Sequence, residues 1–385
     1  MVKILIGRIL FADGIIRKGS VSISNGKIVD VSSSTNSNYK NDHEVLDFSD
    51  NIIAPGYIDI HTHGGSGHDV IDGSTSDIIE IAKMYLKHGV TSFLPTTVSS
   101  SQDMIIKSLR SIKSARNKKV GSNILGVHLE GPFINKDMKG AQNPIHIGSQ
   151  DIDFFNNIIE EANGLIKIIT LAPEIKGIEN IIKILKEKNI IISIGHSDAT
   201  YYELMDAISL GASQVTHLFN AMNKLHHREP GIPGGALISK RLKVQIIGDG
   251  NHINPVIVKL ILNTKGCDNV ILISDSMRAT DIDDGVYSSG GLKVIVKEGI
   301  AKLEDGTLAG STLTLDQAVK NLVNWGLTSI SDAVKMASYN PAKEIGFGNS
   351  KGLIENGRDA DIIVLDKQLN VIMTMIAGEI VFNLN

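Results

Sequence analysis

A chain of 385 residues, 42% of them hydrophobic, can bury a large core, which excludes wholesale disorder. A formal net charge of −4 without a long Lys/Arg run gives no electrostatic footing for nucleic acid or an anionic membrane surface. The single cysteine, Cys267, excludes an intrachain disulfide; with no leader-like N-terminal segment and no apolar run of membrane-spanning length, a cytoplasmic location is expected.

Residues 1–54 read as short strands and turns. Ala12-Asp13-Gly14 and Ser24-Asn25-Gly26-Lys27 are hairpin signals, and Ser32 to His43 is a polar stretch expected to be an exposed loop. Eight apolar runs follow as strand candidates: Ile52–Asp59, Thr91–Thr97, Leu125–Glu130, Ile166–Leu171, Ile190–Ile194, Gln214–His217, Lys243–Ile247 and Val270–Ser274. Their Val/Ile/Leu content is that of strands buried on both faces. Helical patterns lie between several of them, at Ser76–His88, Gln102–Arg116, Ile178–Lys188 and Tyr201–Leu210. The locally basic stretch Lys113–Lys119 reads as a solvated helix end. Past residue 345 short strands return at Asp361–Asp366, Val371–Ile376 and Glu379–Phe382. Neither end holds enough strands for a stable sheet alone. The expected architecture is α/β: a (β/α)8 TIM-like barrel over 55–344, with a small β-sandwich domain built from 1–54 and 345–385. An open doubly wound sheet would gather its polar residues at one switch point, not on many strand ends.

Five of these runs end in a histidine or carboxylate of metal-ligand type where apolar sequence gives way to a polar turn. The C-terminal ends of barrel strands converge, so such groups can share one site. His61 and His63 are two apart, and residues i and i+2 of a strand point the same way. Glu130, in His128-Leu129-Glu130-Gly131-Pro132, is expensive to bury unless paired or bound to a cation; a structural ion pair is the plain alternative. His128 shares its strand face and reads as a support to the site. His196 and His217 each follow an apolar run, where a lone histidine is more often a satisfied core residue. With Glu130 they make a three-ligand set that leaves a position open for water or substrate. Asp275 ends the eighth run, as an acid/base carboxylate beside a metal-activated water or simply as a helix N-cap. Arg228, in His226-His227-Arg228-Glu229-Pro230, and His252 offer donors for an anion, unless Arg228 pairs with a surface acid. There is no GxSxG, no GxxxxGK[ST] and no strand–GxGxxG–helix.

These residues resemble the amidohydrolase superfamily and, within it, the family of N-acetylglucosamine-6-phosphate deacetylases. The resemblance runs nearly end to end. It rests on Pro55-Gly56-Tyr57-Ile58-Asp59-Ile60-His61-Thr62-His63, His128-Leu129-Glu130-Gly131-Pro132-Phe133, Gly195-His196-Ser197-Asp198-Ala199, Thr216-His217-Leu218-Phe219-Asn220-Ala221-Met222, His226 to Gly231, Asp249 to His252 and Ser274 to Met277. Leu308-Ala309-Gly310 and Gly357 to Asp361 also fit. The resemblance implies one or two divalent ions per subunit, zinc or iron, held by Glu130, His196 and His217, with His61 and His63 at a second position bridged by Glu130. It implies a metal-bound water as nucleophile and Asp275 as general base, then general acid. It implies sugar-phosphate binding by Asn220, Ala221, Arg228 and His252, backbone contacts from Leu308, Ala309 and Gly310, and a homodimer. Lys139-Gly140-Ala141-Gln142 carries Gln142 where several relatives have histidine; Ala141 and Gln142 are expected to bind substrate, Gln142 with an uncharged amide as donor to the acetyl oxygen. The implied reaction releases acetate from N-acetyl-D-glucosamine 6-phosphate. Another amide substrate, or an inactive scaffold of the same fold, are the alternatives.

Overall fold

The structure, a computed structural model, describes residues 2–34, 43–148 and 152–384, so the loop expected over Ser32 to His43 falls mostly outside the described residues. Eight parallel strands form a nearly closed barrel: β1 (Tyr57–Thr62), β2 (Val90–Thr97), β3 (Val127–Glu130), β4 (Ile166–Leu171), β5 (Ile191–Ile194), β6 (Gln214–Val215), β7 (Lys243–Ile247) and β8 (Val270–Ile273). Each pairs in register with its sequence neighbour, for example Ile168 with Ile191 and Val244 with Val270. Nearly every strand residue is buried, because side chains on one face fill the barrel and those on the other meet helices. The surrounding helices begin where the sequence supplies caps. Ser101 Oγ accepts from the Met104 N–H, and Thr200 forms a reciprocal capping box with Glu203. Helix Ile178–Glu187 buries Ile178, Ile181, Ile182 and Leu185, one stripe at helical spacing.

The run expected as one barrel strand, Ile52–Asp59, is divided between two sheets. Ile52 to Pro55 pair antiparallel with Leu365 to Ile362 in a separate sheet, and β1 starts after Gly56. Gly56 passes so close to β2 that a Cβ there would lie 2.3 Å from the Thr91 side chain. The separate sheet is built from both ends of the chain, in the order 379–383, 371–376, 362–365, 43–55, 2–10, 16–24, 27–32. One apolar cluster takes Leu5, Ile9, Val21, Ile23, Ile28, Ile53, Ile362, Val364 and Met373 from strands across its width, so the sheet wraps its own core. Asn25 and Gly26 both have positive φ, 50° and 75°, as the type I′ turn of an Asn-Gly hairpin requires.

One element was not expected. After β8 an antiparallel three-stranded sheet, Gly285–Ser289, Leu292–Lys297 and Ile300–Lys302, folds over the barrel mouth. Its buried Val294, Val296 and Ala301 pack on Met277, Ala279 and Ala309. The signal was present: Leu292–Lys297 alternates inward and outward behind Gly290-Gly291.

At the opposite end, Glu344 closes the helix Tyr339–Glu344. Burial drives its carboxyl up to about 7 against the pull of Lys243 and Lys343. A raised carboxyl pKa favours the folded state while the proton is on. Stability is therefore full below the ordinary carboxylate range and falls as pH rises through about 7. Glu344→Gln is expected to match the wild type in thermal unfolding at pH 4.5 and to be more stable at pH 8, by about 1–2 kcal/mol.

Candidate metal centre and substrate cavity

β1, β3, β5, β6 and β8 deliver their terminal polar residues to one point at the barrel mouth. His61 lies within β1 and His63 one residue past it; Glu130 ends β3. His196, His217 and Asp275 lie just past β5, β6 and β8, with φ of 49°, 28° and 49°. A non-glycine residue held at positive φ is strained, and here three such residues turn their side chains across the mouth.

The Glu130 carboxylate is the hub. Its Oε1 lies 3.2 Å from Nε2 of both His196 and His217 and 3.3 Å from Nε2 of His61. Its Oε2 lies 3.3 Å from His63 Nε2 and 2.9 Å from Gln142 Nε2. Asp275 Oδ1 is 3.2 Å from His63 Nε2 and 3.5 Å from His61 Nε2. The ligand atoms form two neighbouring groups, His61–His63–Asp275 and Glu130–His196–His217, all buried.

The chemistry of this donor set fits a divalent cation. His63 Nδ1 faces the Thr96 carbonyl at 3.2 Å and His196 Nδ1 faces the Met138 carbonyl at 3.0 Å. A carbonyl cannot donate, so each Nδ1 carries a hydrogen, which in the neutral ring leaves the Nε2 lone pair turned inward. His61 Nδ1 does the same toward Gln245 Oε1 at 3.0 Å. The Nε2 atoms of His61 and His63 then stand 3.2 Å apart, and those of His196 and His217 3.1 Å apart, around two carboxylates. Where the rings are neutral with Nδ1 protonated, lone pairs that close repel unless a cation lies among them. Imidazole with carboxylate suits zinc and iron(II).

Burial pushes the Asp275 carboxyl up, but positive charge beside it, carried by His61 and His63 as imidazolium ions, pulls it below the usual carboxylate range; a cation among neutral imidazoles would act in the same direction. Glu130 is held low in the same way, burial being outweighed by His61 and His196. His128 is driven well below the usual imidazole range by burial and by His61. Its neutral ring bridges the Ile60 carbonyl and Thr170 Oγ1 and packs edge-on against His61, centroids 4.5 Å apart.

A cavity of about 290 Å³ opens on this cluster. His63, Glu130, His196, His217 and Asp275 form its floor, while Ala141, Gln142, Asn220, Ala221, His252, Leu308, Ala309 and Gly310 line its walls. Ser289 and Val294, from the three-stranded sheet, complete one side. His61 sits fully buried beneath. Arg228 is not among the lining residues: it is exposed, with Nη1 2.9 Å from His227 Nε2. Among the described residues no lysine or arginine lines the cavity.

Sequence reasoning passed over several buried polar residues that hold the site. Ser99 donates from its N–H at 2.8 Å and from Oγ at 2.5 Å to Gln142 Oε1, which turns the Gln142 amide nitrogen toward Glu130. Gly131 makes room for this pair: a Cβ there would stand 2.1 Å from Ser99 Oγ. Asp249 grips His252, with Oδ2 2.6 Å from Nδ1 and Oδ1 accepting the His252 and Asn251 N–H groups. Burial lowers the His252 imidazole but Asp249 raises it more. Gln245 was legible as a lone amide in the apolar run Lys243-Val244-Gln245-Ile246-Ile247.

A barrel whose strand ends assemble two adjoining His/carboxylate ligand groups beneath a cavity defines a metal-dependent hydrolase of the amidohydrolase type. The amidohydrolase family model matches residues 52–381, and the chain belongs to that family. It is 40% identical over 372 residues to the N-acetylglucosamine-6-phosphate deacetylase of Bacillus subtilis, covering 96% of this chain and 94% of that one. Its fold matches the crystal structure of N-acetylglucosamine-6-phosphate deacetylase from Thermotoga maritima with a TM-score of 0.88, at 36% identity and full coverage of both chains. It matches a mutant of the Mycobacterium smegmatis enzyme in complex with N-acetyl-D-glucosamine-6-phosphate with a TM-score of 0.93, at 29% identity over 99% of this chain and 100% of that one. Among the described residues no helix is long and apolar enough to cross a membrane.

Proposed function

We propose that this chain hydrolyses the acetamide of N-acetyl-D-glucosamine 6-phosphate to acetate and D-glucosamine 6-phosphate. The observation that carries the reading is the Asp275 carboxylate against a two-part ligand cluster on the floor of a cavity of about 290 Å³, in a chain similar end to end to deacetylases. Glu130, His196 and His217 would hold a divalent ion, and His61, His63 and Asp275 a second; bound there, the metal would supply Lewis-acid polarisation of the acetyl carbonyl and lower the pKa of water. Asp275 takes the proton from the attacking water and returns it to the departing sugar nitrogen, which leaves as the amine. The Gln142 amide, its oxygen engaged by Ser99, presents N–H to the acetyl oxygen as negative charge develops there. Ala141, Leu308, Ala309 and Gly310 line the sugar, and Asn220, Ala221 and His252 take the phosphate side.

The phosphate needs more positive charge than the cavity walls of one chain offer. Arg228 is exposed, and so are apolar side chains at Leu225 of the same loop and at Tyr202, Ile238 and Val256 on the helices Tyr201–Leu210, Gly231–Ile238 and Pro255–Lys265. These helices are neighbours on the barrel wall. A homodimer that buries this face and carries Arg228 to the neighbouring cavity accounts for both features. We place the enzyme in the cytoplasm, on its single cysteine.

The test is acetate release from the phosphorylated and the unphosphorylated sugar, before and after chelation. Release that depends on metal and on the phosphate is expected; release from neither sugar by metal-loaded protein would reject the substrate. Arg228→Ala is expected to raise KM for the phosphorylated sugar about 10–100-fold with little change in kcat, since an anchoring contact is made equally in ground and transition states. An equal effect on the unphosphorylated sugar would remove Arg228 from the phosphate.

A further inference from the structure

At the seam that closes the barrel, a buried carboxylate joins two strands that are otherwise paired only at their mouth ends. β8 and β1 share no run of paired residues; Thr62, the last residue of β1, bridges Ser276 past the end of β8, where the Ser276 carbonyl also accepts the His63 N–H at 2.8 Å and the Gly64 N–H at 3.1 Å. Between the two strands lies Asp59, fully buried. Its Oδ1 accepts the His61 N–H at 3.2 Å, within β1, and the Ser274 N–H at 3.4 Å, at the end of β8. Its Oδ2 accepts the Ser274 hydroxyl at 2.5 Å, with Tyr85 Oη 3.4 Å away. A one-way hydroxyl chain runs alongside: Tyr85 Oη donates to Thr62 Oγ1 at 2.5 Å, Thr62 and Ser276 hydroxyls meet at 2.7 Å, and Ser276 Oγ donates to the Gly64 carbonyl at 2.9 Å. The two backbone groups that Asp59 ties together bracket the site on both strands. His61 is itself in the ligand cluster, and Ser274 precedes Asp275, whose own N–H donates to the His61 carbonyl at 2.9 Å.

We propose that Asp59 is a positioning residue for the reaction: by bonding to both seam strands it sets the separation between the His61/His63 pair and Asp275. The residue lines no part of the cavity and offers no ligand atom; it acts through the backbone it holds, that of His61 included. A carboxylate suits the task because both its oxygens only accept, so it can take N–H groups from two strands at once, which a ladder residue cannot do with its side chain. Closing the barrel and assembling the His61–His63–Asp275 group are then one event. Slippage at the seam moves Asp275 relative to the reacting centre, and a displacement of about 1 Å costs on the order of 100-fold in rate.

The inference rests on the deacetylase reading for its kinetic readout only; metal content reports on it independently. Asp59→Ala, Asp59→Asn and Ser274→Ala proteins are loaded with zinc, desalted and assayed for bound metal, kcat and KM. Asp59→Ala is expected to lose the ion at His61/His63/Asp275 while keeping the one at Glu130/His196/His217, and to lower kcat about 100-fold with KM within about threefold. Asp59→Asn keeps the Oδ1 acceptor for both N–H groups and is expected to recover most of the metal and to stay within about tenfold of wild-type kcat. Ser274→Ala, which removes one seam contact, is expected to fall between them. A residue that serves only the fold would lower the melting temperature and leave metal content and kcat per folded molecule untouched in all three; that result overturns the proposal. Should Asp59→Ala not fold, Asp59→Asn and Ser274→Ala decide on the same readouts, full metal and full kcat in both counting against it. If the wild type releases no acetate, the deacetylase reading fails, and the metal content of the variants alone settles the role of Asp59.

Discussion

Asp275→Asn is expected to lower kcat for acetate release by about 1,000-fold, with the fold retained and KM little changed. The asparagine oxygen can still lie against His63, so shape is conserved where Asp275 Oδ1 now stands 3.2 Å from His63 Nε2. What is lost is basicity. An amide cannot take the proton from water, nor hold it for the departing nitrogen, so both proton transfers fail at one position. The backbone of Asp275 is fixed independently of its side chain, through its N–H to His61 and its carbonyl to the Ser311 N–H at 2.7 Å, which is why the fold should survive. Single-turnover acetate release, with circular dichroism and metal content on the same sample, checks the expectation. Wild-type turnover in a properly loaded variant would remove Asp275 from the chemistry.

Glu130→Gln is expected to abolish activity by a different route, through loss of the metal. The two oxygens of Glu130 between them meet all four imidazoles of the cluster. The amide replaces one oxygen with a donor group and cancels the charge that balances a cation at either ligand group. Removing a partner from a buried charge assembly costs about 3–5 kcal/mol, more than two orders of magnitude in affinity. Activity should therefore fall below detection at metal concentrations that saturate the wild type. Competition against a chromogenic chelator reads this directly: Asp275→Asn keeps the Glu130–His196–His217 ion, Glu130→Gln does not. Retention of tightly bound metal by Glu130→Gln would show that the histidines alone suffice.

The barrel was legible because its strands are buried on both faces and read as apolar runs, and because each ends abruptly in chemistry. The convergence of the histidines and carboxylates at the barrel mouth was legible for the same reason. Two features were not. The Gly56 boundary lies inside one unbroken apolar run, Ile52 to Ile58 around Pro55-Gly56, and hydropathy does not register a change of partner strand. The Ser99–Gln142 and Asp249–His252 pairs join residues 43 and 3 apart in the chain. The first needs the fold before it can be seen. The second sits in a recognised motif, Asp249-Gly250-Asn251-His252, where the aspartate could have been read as the support of the histidine. Arg228 marks the reverse case: its motif is specific, yet within one chain its side chain ends outside the cavity.

The interleaved sheet at the chain ends bears on how the molecule is made. Strand 43–55 takes its outer partner from 362–365, and the entire barrel is synthesised between the two. At about 5–20 residues per second, that edge stays open on the ribosome for on the order of tens of seconds. Its exposed backbone is a template for any other extended chain nearby. The nascent protein thus spends its most aggregation-prone interval with the barrel partly formed and this edge unguarded. A lesion that delays or removes residues 362–383 should register first as insoluble product and chaperone load, before any deficit in catalysis.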